Sequence, residues 1–252
     1  MYDRELPLVG PWPFDRGAHI DPVAHGEVTL PTATAAPPFQ DVLVLHFMRP
    51  PASDGGHDAD GVKGEKAKLR SQMLAVRKQM RADDPAAPSN LSKQVTKALE
   101  GSESLVIAGY VAIGDELDPS PALEAMQICG ASIVLPVAGK AGDVLSFRAW
   151  KTGDALEKGR LSTYQPAAKT VVPDPDIVLV PLVAFDAFGY RLGFGGGYYD
   201  RTLPKLRSIK NIAAYGIAYD GQEVERIPRE AFDAKLDGVI TPSRIIVAQA
   251  DD

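Results

Sequence analysis

From about residue 65 onward, short apolar runs alternate with amphipathic stretches. The apolar runs are rich in valine and isoleucine and have the length of strands that are buried on both faces. The amphipathic stretches have apolar residues at every third or fourth position, which predicts helices. Strands that alternate with helices favour a largely parallel sheet. The predicted strands cover residues 104–112, 131–137, 177–183, 212–218 and 238–241.

Three helices and one further strand complete the predicted domain. Ser89 or Asn90 is placed to cap the second helix, and Gly130 is placed to end the third. The further strand alternates more strictly, which favours an antiparallel hairpin strand over residues 144–150. We therefore predict an α/β fold: a three-layer, mostly parallel open sheet with helices on both faces, Rossmann-like. The predicted helices cover residues 65–81, 91–99 and 119–129.

The first predicted helix has a basic stripe beside its apolar stripe. The apolar residues are Leu69, Met73, Val76 and Met80. The basic residues are Lys66, Arg70, Arg77 and Arg81. On most helices such charges form a solvated surface. Here the basic stripe borders the buried one, so Lys66 and Arg70 are placed to reach the edge of a cleft.

Residues 1–62 differ from the rest of the chain. They are rich in proline, contain all 4 histidines without the spacing of a metal site, and have a strand-like pattern only at residues 41–48. We interpret them as an N-terminal extension, with residues 53–64 as a linker. Residues 63–252 are predicted to form a single α/β domain.

The bulk composition narrows the class of protein. The 252 residues include 27 Lys and Arg against 33 Asp and Glu, a net charge of −6, which argues against a nucleic-acid binder. Cys129 is the one cysteine, so an internal disulfide is impossible, and a buried place as a small apolar residue is expected for it. The sequence has neither an apolar run long enough to span a membrane nor a secretory signal pattern. We expect a cytoplasmic protein without a membrane partner.

The most informative stretch is residues 191–201, Arg-Leu-Gly-Phe-Gly-Gly-Gly-Tyr-Tyr-Asp-Arg. Glycine lets backbone N–H groups approach an anion closely, and a following helix would direct its N-terminal dipole at the same anion. Asp200 is placed to hold a metal ion that bridges phosphate oxygens. The Walker pattern and the dinucleotide fingerprint both fail here. A glycine-rich hairpin loop without a ligand stays an alternative.

Several motifs, in the same order along the chain, resemble those of the 5-formyltetrahydrofolate cyclo-ligases, also called 5,10-methenyltetrahydrofolate synthetases. The glycine-rich stretch is the most specific of them, together with Val-Pro-Leu-Val-Ala-Phe-Asp at residues 180–186. The pattern Lys66-x-x-Leu69-Arg70 resembles the family's nucleotide-contacting helix, and residues 110–118 resemble its substrate segment. The resemblance extends over residues 64–243, with weaker matches at residues 135–136, 145–150 and 227–237.

The resemblance implies an enzyme that couples ATP hydrolysis to ring closure of a reduced folate. In that family the formyl oxygen of 5-formyltetrahydrofolate takes the γ-phosphoryl group, N10 attacks the activated carbon, and phosphate leaves. The products are 5,10-methenyltetrahydrofolate, ADP and phosphate. Mg²⁺ is implied as the cofactor, ATP as a co-substrate, a monomer as the oligomeric state, and a CoA-transferase-like sheet as the fold.

The resemblance also implies roles for individual residues. Arg191 and Tyr199 are expected to be catalytic, with Arg191 as a clamp on the transferring charge. Asp200 and Asp233 are expected to hold Mg²⁺, directly or through water. The expected ATP-binding residues are Lys66, Arg70, Arg191, Leu192, Gly193, Phe194, Gly195, Gly196, Gly197, Tyr198 and Tyr199. The expected substrate-binding residues are Val111, Glu116, Phe194, Gly195, Gly196, Gly197 and Tyr198.

Three positions depart from the family pattern. Leu182 stands where glycine is usual after Val-Pro, which we interpret as a change in packing. Phe232 replaces the polar residue that is usual before Asp233, so the metal role of Asp233 is less secure. Gly196 stands where some relatives have a lysine or another side chain, which removes one contact to an anion.

Two other functions are compatible with the fold. A non-catalytic relative would bind a folate or a nucleotide without turnover, but the presence of Arg191, Asp200 and Glu116 argues against it. A sugar-phosphate isomerase or a CoA-transferase would rest on fold analogy alone, and the Tyr-Tyr-Asp ending of the glycine-rich stretch gives no reason for either. Stacking of Phe194 or Tyr198 on a ligand also has a plain alternative, which is a place in the core.

Overall fold

The computed structural model describes residues 59–102, 104–168, 170 and 172–250. The helices are α1 (Ala59–Asp83), α2 (Ala87–Ala98), α3 (Ser120–Ile128) and α4 (Tyr198–Ile209). The strands of the first half are β1 (Val106–Ala108), β2 (Ser132–Val137), β3 (Ser146–Ala149), β4 (Leu156–Lys158) and β5 (Tyr164–Pro166). Those of the second half are β6 (Ile177–Pro181), β7 (Ala184–Phe185), β8 (Arg191–Leu192), β9 (Ala213–Ile217), β10 (Gly238–Ile240) and β11 (Ile245–Val247).

Seven strands form the central sheet in the order β11-β10-β9-β6-β1-β2-β3. The inner strands from β10 to β2 run parallel, while β11 and β3 pair antiparallel at the two edges. Because the inner strands are parallel, their carboxyl ends and the loops that follow them meet at one edge of the sheet. The predicted mostly parallel α/β sheet is confirmed, and so is the antiparallel strand within residues 144–150.

Helices cover both faces of this sheet. Val178 and Val180 of β6 share a core cluster with Leu203 and Leu206 of α4. Successive side chains of a strand point to opposite faces, so Leu179 faces the other side. There α2 and α3 pack on each other, and they contact β10 and β2 respectively.

Helix α1 packs on the small hairpin formed by β7 and β8. Met73 of α1 shares a second core cluster with Ala184 and Leu192 of the hairpin and with Ile227. The hairpin begins three residues after Pro181, where β6 leaves the sheet. Apolar contacts therefore place the basic stripe of α1 along the carboxyl edge of the sheet.

Two predicted elements have different bounds. The first strand ends at Ala108. The next residue, Gly109, packs closely against α3, since a Cβ there would lie 2.5 Å from a methyl carbon of Leu123. The second helix begins at Ala87 with Ala86 at its N-cap, so the predicted caps at Ser89 and Asn90 are wrong. Proline in the first turn favours this earlier start, since its missing N–H would have no helical partner there.

Some sequence-based expectations fail or go untested. Cys129 is exposed, which corrects its expected burial: it lies just beyond the end of α3, next to the exposed Ile128. The extension predicted for residues 1–62 lies outside the described residues up to position 58, and α1 already begins at Ala59. Within the described ranges, no helix is long and apolar enough to cross a bilayer.

Leu182 occupies a place that β9 leaves for it. Its side chain is buried, and a Cβ on Gly216 would lie 2.6 Å from its Cδ2 atom. The same Cβ would lie 2.9 Å from a methyl carbon of Leu236. The leucine that departs from the family pattern is thus packed against a glycine, in accord with the interpretation as a packing change.

We expect Leu182→Ala to lower the free energy of unfolding by about 2–5 kcal/mol, because it removes buried methyl groups and leaves a cavity. Urea unfolding followed by circular dichroism measures this loss. Ile128→Ala is the control, since Ile128 is 81 % exposed at the end of α3 and its truncation should change stability by less than about 0.5 kcal/mol. Equal losses in the two variants would contradict the packing role.

Candidate active site

The glycine-rich stretch joins β8 to the first turn of α4 at the carboxyl edge of the sheet. Gly195 and Gly197 have φ values of 99° and 63°, a left-handed conformation that favours glycine. Gly197 is the N-cap of α4, and no side chain caps the helix. The amides of the first turn therefore face the loop, where the helix dipole favours an anion.

Two arginines and a tyrosine hold this loop in place. Arg70 donates from Nε to the carbonyl oxygen of Gly193 at 2.8 Å. Arg201 donates from Nη2 to the carbonyl oxygen of Gly196 at 2.9 Å. The hydroxyl of Tyr198 donates to the carbonyl oxygen of Gly139 at 3.1 Å, in the turn between β2 and β3. All three contacts use carbonyl oxygens as acceptors, so they do not occupy the backbone amides of the loop.

Arg191 and Asp200 form an ion pair beneath the loop. Nη2 of Arg191 lies 2.6 Å from Oδ1 of Asp200, and the arginine side chain is 5 % exposed. The other terminal nitrogen donates to the carbonyl oxygen of Ala234, whose amide donates to Asp200 at 3.2 Å. Burial lowers the pKa of Arg191, and the charge of Asp200 raises it. Arg191 therefore orients Asp200 directly, while its expected role as a clamp on phosphate stays a prediction.

Lys66 bridges two acidic residues of the segment before β10. Its Nζ lies 2.6 Å from Oδ2 of Asp233 and 2.9 Å from Oε2 of Glu230. Burial disfavours the charged amine, but the hydrogen bonds to the two carboxylates outweigh it and raise the pKa of Lys66. The ring of Phe232 is 66 % exposed, with its centroid 5.9 Å from the same Nζ. Phe232, which departs from the family pattern, thus places an aromatic surface beside Lys66. Asp233 still pairs with Lys66 and remains in the site.

The donor set near Asp200 and Asp233 fits Mg²⁺. The two side chains are neighbours, since Asp200 accepts from the amide of the residue after Asp233. In the hydrogen bonds of these two side chains, the acceptors are Oδ1 of Asp200 and Oδ2 of Asp233. Mg²⁺ is usually held by one or two carboxylates together with phosphates and water. Within the described residues, no group of three or more acidic, histidine or cysteine side chains could hold a metal ion. Both aspartates stay predicted ligands of an ion that would be shared with phosphate.

Glu116 lies in the loop that follows β1. It is 6 % exposed, and its Oε2 accepts a hydrogen bond of 2.8 Å from the amide of Ile113. Burial raises the pKa of Glu116, while the Ile113 amide and the charge of Arg77 lower it. Val111 is half-buried in the same loop, and Phe194 leaves 56 % of its surface exposed. Arg77 lies against Phe194, and its charge acts on Glu116. A buried carboxylate together with an exposed aromatic surface suits a flat ligand with N–H donors.

Tyr199 lies between the two halves of the site. It packs against the main core cluster, and burial and the charge of Glu116 raise its pKa, with the charge of Arg191 opposing them. The phenol therefore stays protonated at neutral pH and is suited to donate a hydrogen bond. A protonated phenol can donate a hydrogen bond and position a ligand, so the expected catalytic role of Tyr199 is limited to these two actions.

The structure brings most of the predicted site residues together around the loop. Lys66, Arg70, Arg191, Asp200 and Asp233 are joined to the loop or to one another through the hydrogen bonds and ion pairs described above. Gly196 lies against the ring of Tyr198, because a Cβ there would come within 3.1 Å of Cδ2. A side chain at this position would therefore require the tyrosine to move.

Three further residues belong to the site, and sequence reasoning did not assign any of them to it. Glu230 binds Lys66. Its position three residues before Asp233 is the sequence feature that could have indicated this contact. Arg201 fixes the loop, and it directly follows Asp200. Arg77 lies beneath Phe194, and its place on the basic stripe of α1 was noted without a role.

Comparison with known proteins gives a consistent result. A family model described as the 5-formyltetrahydrofolate cyclo-ligase family matches residues 62–242. A 5-formyltetrahydrofolate cyclo-ligase of Escherichia coli strain K12 is 34 % identical over 180 residues, which cover 68 % of this chain and 98 % of that protein. One from Mycolicibacterium smegmatis is 33 % identical over 197 residues, covering 73 % and 96 %.

Solved structures are similar as well. The NMR structure of a 5,10-methenyltetrahydrofolate synthetase from Aquifex aeolicus has a TM-score of 0.58 at 29 % identity, covering 74 % of this chain and 94 % of that one. A 5,10-methenyltetrahydrofolate synthetase from Mycoplasma pneumoniae has a TM-score of 0.54 at 25 % identity, covering 70 % and 98 %.

We expect Asp200→Asn to lower the free energy of unfolding by about 3 kcal/mol, because it leaves the buried charge of Arg191 without its partner. Urea unfolding in the absence of ligands and metal measures this. Asp115→Asn is the control, since the Arg81–Asp115 pair is exposed, at 55 % and 36 %, and such pairs contribute about 0–1 kcal/mol. Wild-type stability of Asp200→Asn would refute the structural role of the ion pair.

Proposed function

Since this chain belongs to the 5-formyltetrahydrofolate cyclo-ligase family, we propose that it converts 5-formyltetrahydrofolate to 5,10-methenyltetrahydrofolate with ATP and Mg²⁺. ADP and phosphate are released. The observation that supports this most is the place of the glycine-rich loop. Arg70 binds the backbone of the loop, and the Arg191–Asp200 pair joins its two ends. Arg77, whose charge acts on Glu116, lies against Phe194 of the same loop. A transfer of phosphate between two bound molecules needs such a shared wall.

The cationic side of the loop is proposed to hold ATP. Phosphoryl transfer depends on positioning and on neutralising charge more than on covalent chemistry by the protein. Lys66 and Arg70 supply positive charge, and the amides between Leu192 and Tyr199 supply donors without side chains in the way. Arg70 already holds the Gly193 carbonyl, so the loop does not have to be ordered by the nucleotide alone.

Asp200 and Asp233 are the proposed ligands of Mg²⁺. When bound, the ion would neutralise charge on the phosphate oxygens and orient the transferred group. Arg191 holds Asp200, and Lys66 holds Asp233. The two cations keep the carboxylates in place and limit their mutual repulsion before a metal ion arrives.

The other side of the loop is proposed to bind the folate. Glu116 would accept hydrogen bonds from pterin N–H groups, and the exposed face of Phe194 would contact the ring. Val111 and Tyr198 would complete the wall. Gly195, Gly196 and Gly197 would allow the formyl group to approach the nucleotide, because no Cβ stands between the two ligands.

The proposed reaction proceeds in two steps. The formyl oxygen attacks the γ-phosphorus, the bond to the β-γ bridging oxygen breaks, and ADP leaves. N10 then attacks the activated carbon and loses its proton, and the carbon–oxygen bond breaks with release of phosphate. The protein holds the reacting atoms together and excludes water, which is the main contribution of a site of this kind.

We expect purified protein to generate the absorbance of 5,10-methenyltetrahydrofolate from 5-formyltetrahydrofolate only when both ATP and Mg²⁺ are present. Omission of ATP and addition of a chelator are the controls. Folded protein that forms no product would contradict the proposal. Tight binding of both substrates by calorimetry, without release of ADP, would instead identify a non-catalytic relative.

A second expectation separates the two halves of the site. Glu116→Gln should raise KM for 5-formyltetrahydrofolate about tenfold or more, because hydrogen bonds to a charged group contribute about 1.5–3 kcal/mol, and should leave KM for ATP nearly unchanged. Steady-state kinetics measure both constants. Glu124→Gln, an exposed change on α3, should alter neither. A rise confined to KM for ATP would contradict the proposed role of Glu116 in binding the folate.

A further inference from the structure

We propose that Arg77 is a positioning residue for the folate half of the site, where it supports the Phe194 ring and keeps Glu116 ready to accept hydrogen bonds. This inference rests on the proposed function, since it assigns Arg77 to the binding of the same substrate. It concerns a residue of α1 that lies a little under two turns beyond Arg70. A third cation of the basic stripe would thereby act on the folate, while Lys66 and Arg70 act on the nucleotide.

The burial of Arg77 is the first observation. The residue is 3 % exposed, and its Nη1 donates one hydrogen bond of 3.2 Å to the carbonyl oxygen of Leu182. Its Nε is buried and has no hydrogen-bond partner among the described residues. A buried cation with an unpaired donor costs stability, and a well-packed apolar residue is often better at such a position. Packing alone therefore does not account for an arginine here.

The contact with Phe194 is the second observation. The guanidinium carbon of Arg77 lies 5.1 Å from the centroid of the Phe194 ring, within the range of a cation–π interaction. The ring is still 56 % exposed, because Arg77 supports one side of it and the rest faces the cleft. Phe194 stands between glycines at positions 193 and 195, so neighbouring side chains do little to fix its ring. Arg77 supplies that support.

The charge of Arg77 acts on Glu116 as well. Burial raises the pKa of Glu116, and Arg77 is the cation that opposes this effect. Tyr110 and Tyr199 also act on the surroundings of Glu116, and burial raises the pKa of both phenols. The carboxylates of Asp115 and Asp118 flank Glu116 in the same loop. The Tyr110 hydroxyl donates to the carbonyl oxygen of Leu117 at 2.6 Å. Both tyrosines are neutral at pH near 7, so the ionised carboxylate is favoured by the Ile113 amide and by the positive charge of Arg77.

The test compares Arg77→Gln and Arg77→Lys with Lys78→Gln. Lys78 is the next residue of α1 and is exposed, so its loss should change no binding constant. Calorimetry measures the Kd of 5-formyltetrahydrofolate and the Kd of ATP with Mg²⁺ separately, without turnover. Arg77→Gln should weaken folate binding about tenfold or more and change ATP binding less than about twofold. Arg77→Lys keeps the charge and loses the planar stack, so its folate affinity should lie in between.

The pH dependence provides the readout that a purely structural role would not affect. Without Arg77, the pKa of Glu116 rises further, and the carboxylate takes up a proton at higher pH. The ratio of the folate Kd of Arg77→Gln to that of the wild type should therefore grow as the pH is lowered from about 8, because the carboxylate of the variant is protonated first. Titration of the ligand itself cancels in this ratio. The same ratio for Arg77→Lys should stay constant with pH. When Arg77→Gln is made in a protein that already has Glu116→Gln, the pH dependence should disappear.

Each outcome decides the proposal. Equal losses of folate and ATP affinity with a constant ratio across pH would overturn it in favour of a structural role of Arg77. If Arg77→Gln does not fold, Arg77→Lys decides, since weaker folate binding with unchanged ATP binding is expected and equal losses contradict it. Wild-type protein that does not bind 5-formyltetrahydrofolate would refute the proposed function itself, and this result is obtained before any variant is measured.

Discussion

The Arg191–Asp200 ion pair is the interaction on which the arrangement of the site depends. It joins β8, the first turn of α4 and the chain at Ala234 through a buried arginine and a partly buried aspartate. Asp200 also lies in the first turn of its helix, where the dipole favours a negative charge. The glycine-rich loop has little side-chain packing of its own, so these anchors at its two ends determine where its amides point. A loop released from them would lose both the shape of the anion site and the position of Asp200.

Helix α1 distributes positive charge along the same edge of the sheet. Lys66 bridges the carboxylates of Glu230 and Asp233, Arg70 holds the loop backbone, and Arg77 lies under Phe194. The contacts with the β7–β8 hairpin are apolar, so packing fixes the helix and leaves these side chains for the site. One helix thereby touches the proposed nucleotide half and the proposed folate half. A change in its position would affect both ligands together.

The sequence was sufficient to predict the parts of the fold that depend on local pattern. Apolar runs mark the parallel strands because those strands are buried on both faces. The predicted apolar stripe marks the packed face of α1 only in part, since Val76 is exposed and Arg77 of the basic stripe is buried. The two-residue strands β7 and β8 have no pattern long enough to detect, although they support the loop. The exposure of Cys129 and the early start of α2 depend on where the chain turns, which residue type alone does not determine.

The site was predictable as a set of residues and less so as a set of interactions. The sequence predicted that Lys66, Asp200 and Asp233 contact ligands. In the structure Lys66 pairs with Asp233, and Asp200 pairs with Arg191. Such pairing depends on distances between segments far apart in sequence. The same limitation explains why Arg77 received no role: its partners Leu182 and Phe194 are more than a hundred residues away.

The measurement that tests the central claim most directly follows the formyl oxygen. 5-Formyltetrahydrofolate labelled with oxygen-18 in its formyl group is converted in the presence of ATP and Mg²⁺, and the phosphate released is analysed by phosphorus NMR. Direct transfer of the γ-phosphoryl group across the shared wall predicts that every phosphate formed contains one labelled oxygen. Phosphate without the label would contradict phosphorylation of the formyl oxygen and, with it, the arrangement of both ligands about one loop.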